Sequence, residues 1–214
     1  MAGHLASGAD AAGARGDPRR ERLGIFGGTF DPPHVGHLVT AVNVRHELSL
    51  DRVLLVVSNV PWQKVGSRAI SPPEARLAMV QAAVADVDGL EPSRIEIDAG
   101  GPSYTADTLA ALLAEDPGRE LFVVLGADAA AGLLTWERHD EVRERATIVV
   151  VERPGTVTIE ALDGWRWQRV EVPRLEVSST DLRARAVDGR PLDYLVTHEV
   201  ADWIDAHGLY RGEG

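Results

Sequence analysis

The chain contains no cysteine, which excludes disulfides, thiol nucleophiles and thiolate zinc sites and is compatible with a reducing cytoplasm. Basic residues are scarce. Against 33 Asp and Glu stand 22 Lys and Arg, and the formal net charge of −11 argues against a nucleic-acid polymer as partner. Anionic small molecules must therefore be met by local positive groups. No stretch approaches the roughly 20 apolar residues of a membrane span, so no membrane partner is expected. No GxGxxG follows the first apolar run, and GxxxxGK[ST] and HExxH occur nowhere, which removes the dinucleotide fingerprint, the P-loop and the zincin helix. What remains is ordinary for a soluble globular protein, with 44% hydrophobic and 26% charged residues in a length of 214 that suits one domain.

The chain is organised around Leu23 to His37, LGIFGGTFDPPHVGH. Leu23, Ile25 and Phe26 form an apolar run that stops at Gly27-Gly28, as a buried strand ending in a tight turn would. The paired glycines let a ligand approach the backbone with no Cβ in the way. Pro32 and Pro33 stiffen the loop, and a helical pattern follows Gly36 and His37, with Leu38, Ala41, Val42 and Leu48 on one side. Strand, glycine turn and helix start make a phosphate-binding arrangement. His34 and His37 can share a face of the first helical turn, and both can donate.

Strands then alternate with helices. Val53–Val57 (VLLVV), Leu121–Leu125 (LFVVL) and Ala146–Val151 are continuous apolar runs, the mark of parallel strands covered on both faces. Arg94–Asp98 alternates as a further strand. Ser71, Pro72 and Glu74 read as a capping box opening a helix with Leu77, Val80, Ala83 and Val84 as its stripe. Thr105 reads as the cap of a helix through Leu113, Glu137–Arg145 as a solvated helix face, and Leu192–Tyr210 as a helix followed by His207-Gly208-Leu209-Tyr210. Val157–Val170 is the least legible stretch, and Trp165 and Trp167 in it suit either core or surface. Residues 1–22 lack apolar periodicity and read as a flexible extension. Residues 23–214 form the single α/β domain, a Rossmann-like parallel sheet with helices on both faces and ligands beyond the carboxyl ends of its strands.

A second motif is Val177–Arg183, VSSTDLR. Hydroxyls and open amides at a helix start can take a phosphate, and Arg183 adds a fork of donors, although the same pattern is also a common N-cap. The remaining histidines, at 4, 46, 139, 198 and 207, have no comparable setting and read as structural.

GGTFDPPHVGH resembles the GGTFDPxHxGH signature, with its HxGH core, of a nucleotidyltransferase superfamily. The closest resemblance, from about Leu23 to about Tyr210, is to bacterial nicotinate-nucleotide adenylyltransferases. VSSTDLR is similar to that family's ISSTxxR string, with Val177 for Ile and Leu182 for the usual Ile. The resemblance implies ATP contacts at Gly27, Gly28, Thr29, Phe30, His34, Gly36, His37, Gly126, Asp128, Ser178, Ser179, Thr180 and Arg183. Of these, His34, His37 and Arg183 carry the catalysis. It implies contacts to the nicotinate nucleotide at Lys64, Tyr104, Thr105, Trp136 and Arg153. Lys64 follows an unusual Pro-Trp-Gln lead, which leaves Trp62 and Gln63 without a role.

The implied reaction is ATP plus nicotinate mononucleotide giving deamido-NAD and pyrophosphate, a step of NAD biosynthesis. Mg²⁺ would be held mainly by the ATP phosphates, with no metal ligands on the chain. The attacking phosphate is already anionic and needs no base, so positioning and charge stabilisation remain. The ring-pocket residues include no cation, so donors near Thr105 would read the nicotinate carboxylate. A relative with another phosphorylated acceptor, such as phosphopantetheine, and a non-catalytic nucleotide-binding module are the other readings. Assembly into a homo-oligomer is left open, and the expected compartment is the cytoplasm.

Overall fold

The computed structural model describes residues 20–60, 70–152 and 162–211. Its centre is one six-stranded, wholly parallel sheet in the order β3-β2-β1-β4-β5-β6. The strands are β1 (Arg22–Gly28), β2 (Arg52–Val57), β3 (Leu90–Ser93), β4 (Glu120–Gly126), β5 (Ala146–Glu152) and β6 (Trp167–Glu171). The helices are α1 (Val35–Glu47), α2 (Pro73–Val84), α3 (Ile95–Ala99), α4 (Thr105–Glu115), α5 (Ala127–Ala131), α6 (His139–Arg145), α7 (Ser179–Val187) and α8 (His198–Ala206).

The continuous apolar runs are explained by two cores. In β2, Val53, Leu55 and Val57 face one core and Leu54 and Val56 the other; β4 and β5 alternate likewise. Residues of α1, α2, α7 and α8 fill the first core, and residues of α4, α5 and α6 the second. Burial on both faces favours aliphatic residues at every position of such a strand. Trp165 and Trp167 are partly buried against the second core.

Several expected boundaries move. Arg94–Asp98 is not a strand: the edge strand is Leu90–Ser93, and Ile95–Ala99 turns as a helix. Pro92 is tolerated in β3 because an edge strand has one unpaired side. α2 starts one residue later than expected, with Pro73 first, and neither Ser71 nor any side chain caps it. Thr105 is the first residue of α4 rather than its cap. Arg138, at positive φ, precedes α6, so Glu137 lies outside that helix. The last helix begins only at His198, capped by Thr197. On α1, Val42 faces solvent and Thr40 and Val44 are buried in its stead. Arg22, assigned to the extension, opens β1, and Glu21 just before it takes hydrogen bonds of 2.6 Å from both Arg52 and Arg119. Residues 1–19 lie outside the described residues.

Candidate functional site

Strand order reverses at β1, which has β2 on one side and β4 on the other. In open α/β sheets this is where a crevice forms, and a cleft of about 280 Å³ lies there. Ile25, Gly27, Gly28 and Thr29 of the β1 end and Val123 and Leu125 of β4 line its base. Tyr104, Thr105 and Trp136 wall it, together with Ser103, Thr108 and the carboxylates of Glu96 and Glu137. The cleft therefore holds acidic residues beside the donors expected near Thr105, and Glu96 accepts from the Thr108 hydroxyl at 2.8 Å. Asn59, just past β2, pins the Gly101–Tyr104 segment, its amide nitrogens donating to Ser103 Oγ and the Gly101 carbonyl at 2.9 Å.

The two glycines at the end of β1 differ. A Cβ at Gly27 would meet nothing within 4 Å, which suits close approach of a ligand; at Gly28 it would lie 2.8 Å from the Phe30 ring. Gly28 is therefore required by packing. Phe30, expected among the ATP contacts, turns its ring inward from a backbone at φ +50° and is 2% exposed. It lies edge-on to His37 with centroids 5.0 Å apart, and so supports that histidine from beneath.

His34 ends the loop at the N-cap of α1 and is buried. Its ring stacks on His37 with centroids 3.7 Å apart. The backbone N–H of His34 donates to His37 Nδ1 at 3.1 Å. An accepting Nδ1 leaves the proton of a neutral His37 on Nε2, so the tautomer assigned by this bond is a donor away from the loop. Gly36 makes room for the pair: its missing Cβ would stand 3.0 Å from both His34 Nδ1 and Val177 Cγ1. Not every amide of the α1 start is open to a ligand, because Val35 N–H is taken by the Leu195 carbonyl at 3.0 Å.

The second motif is bonded to the first. Arg183 Nη1 donates to the Asp31 carbonyl at 2.7 Å and Nη2 to Thr180 Oγ1 at 3.1 Å. Ser179 Oγ donates to the Pro32 carbonyl at 2.8 Å. Ser178 is the N-cap of α7 and accepts from Asp181 N–H, so the plain capping role holds for that serine, while its neighbours join the loops. Gly126 and the exposed Asp128 lie at the β4–α5 junction, one residue short of Ala129 in the cleft wall. His34, His37, Asp128 and the α7 motif are not among the residues that line the cavity. Lys64, Arg153, Trp62 and Gln63 lie outside the described residues.

Sequence reading passed over three side chains. Arg76 is 1% exposed within the apolar stripe of α2 and donates to the carbonyls of Ser71 (2.9 Å), Thr29 (2.8 Å) and Asn59 (3.1 Å). A cation among Leu77, Val80 and Ala83 was the available signal, since an arginine is rarely fully buried without partners. Asp31 stands in the motif itself, 1% exposed, before a cis bond to Pro32. Tyr210 donates to its carboxylate at 2.6 Å.

Residues 25–185 match the cytidylyltransferase-like family model. Two curated relatives are named "probable nicotinate-nucleotide adenylyltransferase". That of Streptomyces coelicolor is 47% identical over 88% of this chain and 100% of its own length. That of Thermus thermophilus is 44% identical over 89% and 100%. Among solved structures, nicotinic acid mononucleotide adenylyltransferase of Plasmodium falciparum complexed with NaAD superposes with a TM-score of 0.75, covering 89% of this chain and 98% of that one. At 16% identity this likeness speaks for the fold alone.

Proposed function

The chain belongs to the cytidylyltransferase-like family and, within it, to the nicotinate-nucleotide adenylyltransferases, and from that premise we propose that it transfers the adenylyl group of ATP to nicotinate mononucleotide. The observation that carries the reading is the union of the two phosphate motifs, through Arg183–Asp31 and Ser179–Pro32, beside a cleft at the reversal of strand order. A phosphate oxygen of the mononucleotide attacks the α-phosphorus. The bond from that phosphorus to the bridging oxygen breaks, and pyrophosphate leaves with the electron pair. Deamido-NAD is the other product. The attacking oxygen is already anionic, so the chain need hold no base.

The chain's task is then to fix donors where charge grows. His37 offers Nε2–H, its ring held by the His34 amide and the Phe30 edge. Gly27 leaves its backbone open to the phosphates. Arg183 keeps the two motif loops in register and adds its charge beside them. The donor set of histidine, hydroxyl, arginine and amide fits phosphate oxygens rather than a metal, so Mg²⁺ fits as an ion carried by the β- and γ-phosphates, where it would neutralise charge. Tyr104, Thr105 and Trp136 would receive the pyridine nucleotide. No helix among the described residues is long and apolar enough to cross a membrane; work in the cytoplasm is part of the proposal. A pyrophosphate-release assay with a panel of acceptors tests the reading. Nicotinate mononucleotide should be the preferred substrate, and preference for phosphopantetheine, or release with no acceptor in the panel, would overturn it.

A further inference from the structure

The loop between Thr29 and His34 is gripped by side chains that come from distant parts of the chain. Arg76 holds the Thr29 carbonyl, and Arg183 and Ser179 hold those of Asp31 and Pro32. Each of these grips backbone. Tyr210 differs in gripping a charged side chain, the Asp31 carboxylate, with its hydroxyl 2.6 Å from Oδ1. The segment after α8 is shaped to deliver that hydroxyl. Leu209 N–H bonds back to the Ile204 carbonyl at 3.1 Å, and Gly208 and Tyr210 take φ of +61° and +59°. A tyrosine at positive φ is an unfavourable backbone state, kept only where the surroundings over-determine it. The ring packs against the first core, and Oη also lies 3.9 Å from Met79 Sδ. A thioether is a weak acceptor and the carboxylate a strong, charge-assisted one, so the proton belongs to Asp31.

We propose that Tyr210 is a positioning residue for adenylyl transfer: by holding the Asp31 carboxylate, its hydroxyl sets the loop that presents His34 and His37 to the phosphates. This rests on the adenylyl-transfer reading above. Asp31 is buried and lies three residues before His34, with its backbone carbonyl on Arg183 and its carboxylate on Tyr210. Loss of the second tie removes a side-chain anchor from the residue that leads into Pro32 and His34. Burial first, and then the bond to Asp31, push the Tyr210 phenol above its ordinary range. The hydroxyl therefore keeps its proton, and its donor role, through neutral and mildly alkaline pH.

The full-length Tyr210→Phe variant keeps the ring and its packing and removes only the hydroxyl. Its kcat in pyrophosphate release should fall about tenfold, as small misplacements of catalytic groups do, with the KM for nicotinate mononucleotide within about twofold of wild type. Leu209→Ala removes packing from the same segment without touching the hydroxyl; it should lower Tm and leave kcat near wild type at temperatures well below Tm. Amide hydrogen exchange in the peptide covering residues 27–37 should quicken several-fold in Tyr210→Phe and not in Leu209→Ala. Wild-type kcat in Tyr210→Phe, or loss of kcat in both variants in step with Tm, would overturn the proposal. A wild-type chain that releases no pyrophosphate would defeat the adenylyl-transfer reading instead, and the exchange data then decide whether the hydroxyl orders the loop.

Discussion

The loop from Thr29 to His37 is tied by Arg76, Arg183, Ser179 and Tyr210, whereas the wall of the adjoining cleft is held by separate bonds, among them Thr108–Glu96. There Arg138 pairs with Asp107 at 2.6 Å, and Asn59 carries the segment before Tyr104. Donors that meet growing charge must be fixed before the reaction, or reorganisation consumes their benefit. A wall that recognises a ring and its substituent can be altered without disturbing those donors. The difference separates chemistry from choice of acceptor, and both halves of that statement can be tested.

The largest effect belongs to the loop. His37→Ala should lower kcat by roughly 10²–10³, the usual loss for one preorganised donor, while circular dichroism shows the fold retained. A folded variant with wild-type kcat would remove His37 from the chemistry. Arg183→Lys comes next. Lysine keeps the charge but cannot reach Asp31 and Thr180 with one planar fork, so kcat/KM for ATP should fall about tenfold or more, the worth of a charge-assisted bond. Unchanged ATP kinetics would reduce α7 to a structural helix.

The cleft should respond in KM for the acceptor. Trp136→Ala should raise the KM for nicotinate mononucleotide about fivefold, through roughly 1 kcal/mol of lost stacking, with that for ATP little changed. The wild type should prefer the nicotinate over the nicotinamide nucleotide by at least about tenfold, because an amide would present its own donors to amides near Thr105. Equal kcat/KM would mean that Glu96 and Glu137, not those amides, dominate the wall.

The smallest effect lies at the opposite end of the sheet and serves both regions as a control. Burial opposes ionisation of Glu21, but the hydrogen bonds from Arg52 and Arg119 outweigh it and hold the carboxyl below its ordinary value. A depressed carboxyl contributes stability above the ordinary glutamate range and loses it as pH falls through the depressed value. Glu21→Gln should therefore lower Tm by about 2–4 °C at neutral pH, for up to ~1 kcal/mol in a partly exposed network, with the difference shrinking below about pH 4. If either kcat or acceptor KM moved as well, the two regions would not be as local as the geometry has them.

Continuous apolar runs announce buried parallel strands, so VLLVV and LFVVL were legible in the sequence, as were the glycine turn and a helix start within VSSTDLR. Short elements were not. Ile95 and Ile97 alternate as in a strand, yet five residues fit one helical turn equally well, and tertiary contacts decide. The strand beside it, Leu90–Ser93, contains a proline and a single buried residue. In the site, the family resemblance pointed to Tyr104, Thr105 and Trp136, which do line one cleft. The inward turn of the Phe30 ring was not legible, because a motif says which residues recur, not which way a ring points. Arg76 and Tyr210 act through carbonyls and a carboxylate far along the chain, and no local pattern encodes such partners.

Those distances govern how the protein is made. Asp31 bonds to residues 152 and 179 positions later in the chain, among the longest loops this chain can close. Long-range contacts form late, since closure entropy must be met before they reward it. During synthesis the first strand and its loop emerge early, but the loop can reach its final shape only after Tyr210 has left the ribosome. In refolding, helical signal should recover before pyrophosphate release does, and full activity should wait until Tyr210 has docked.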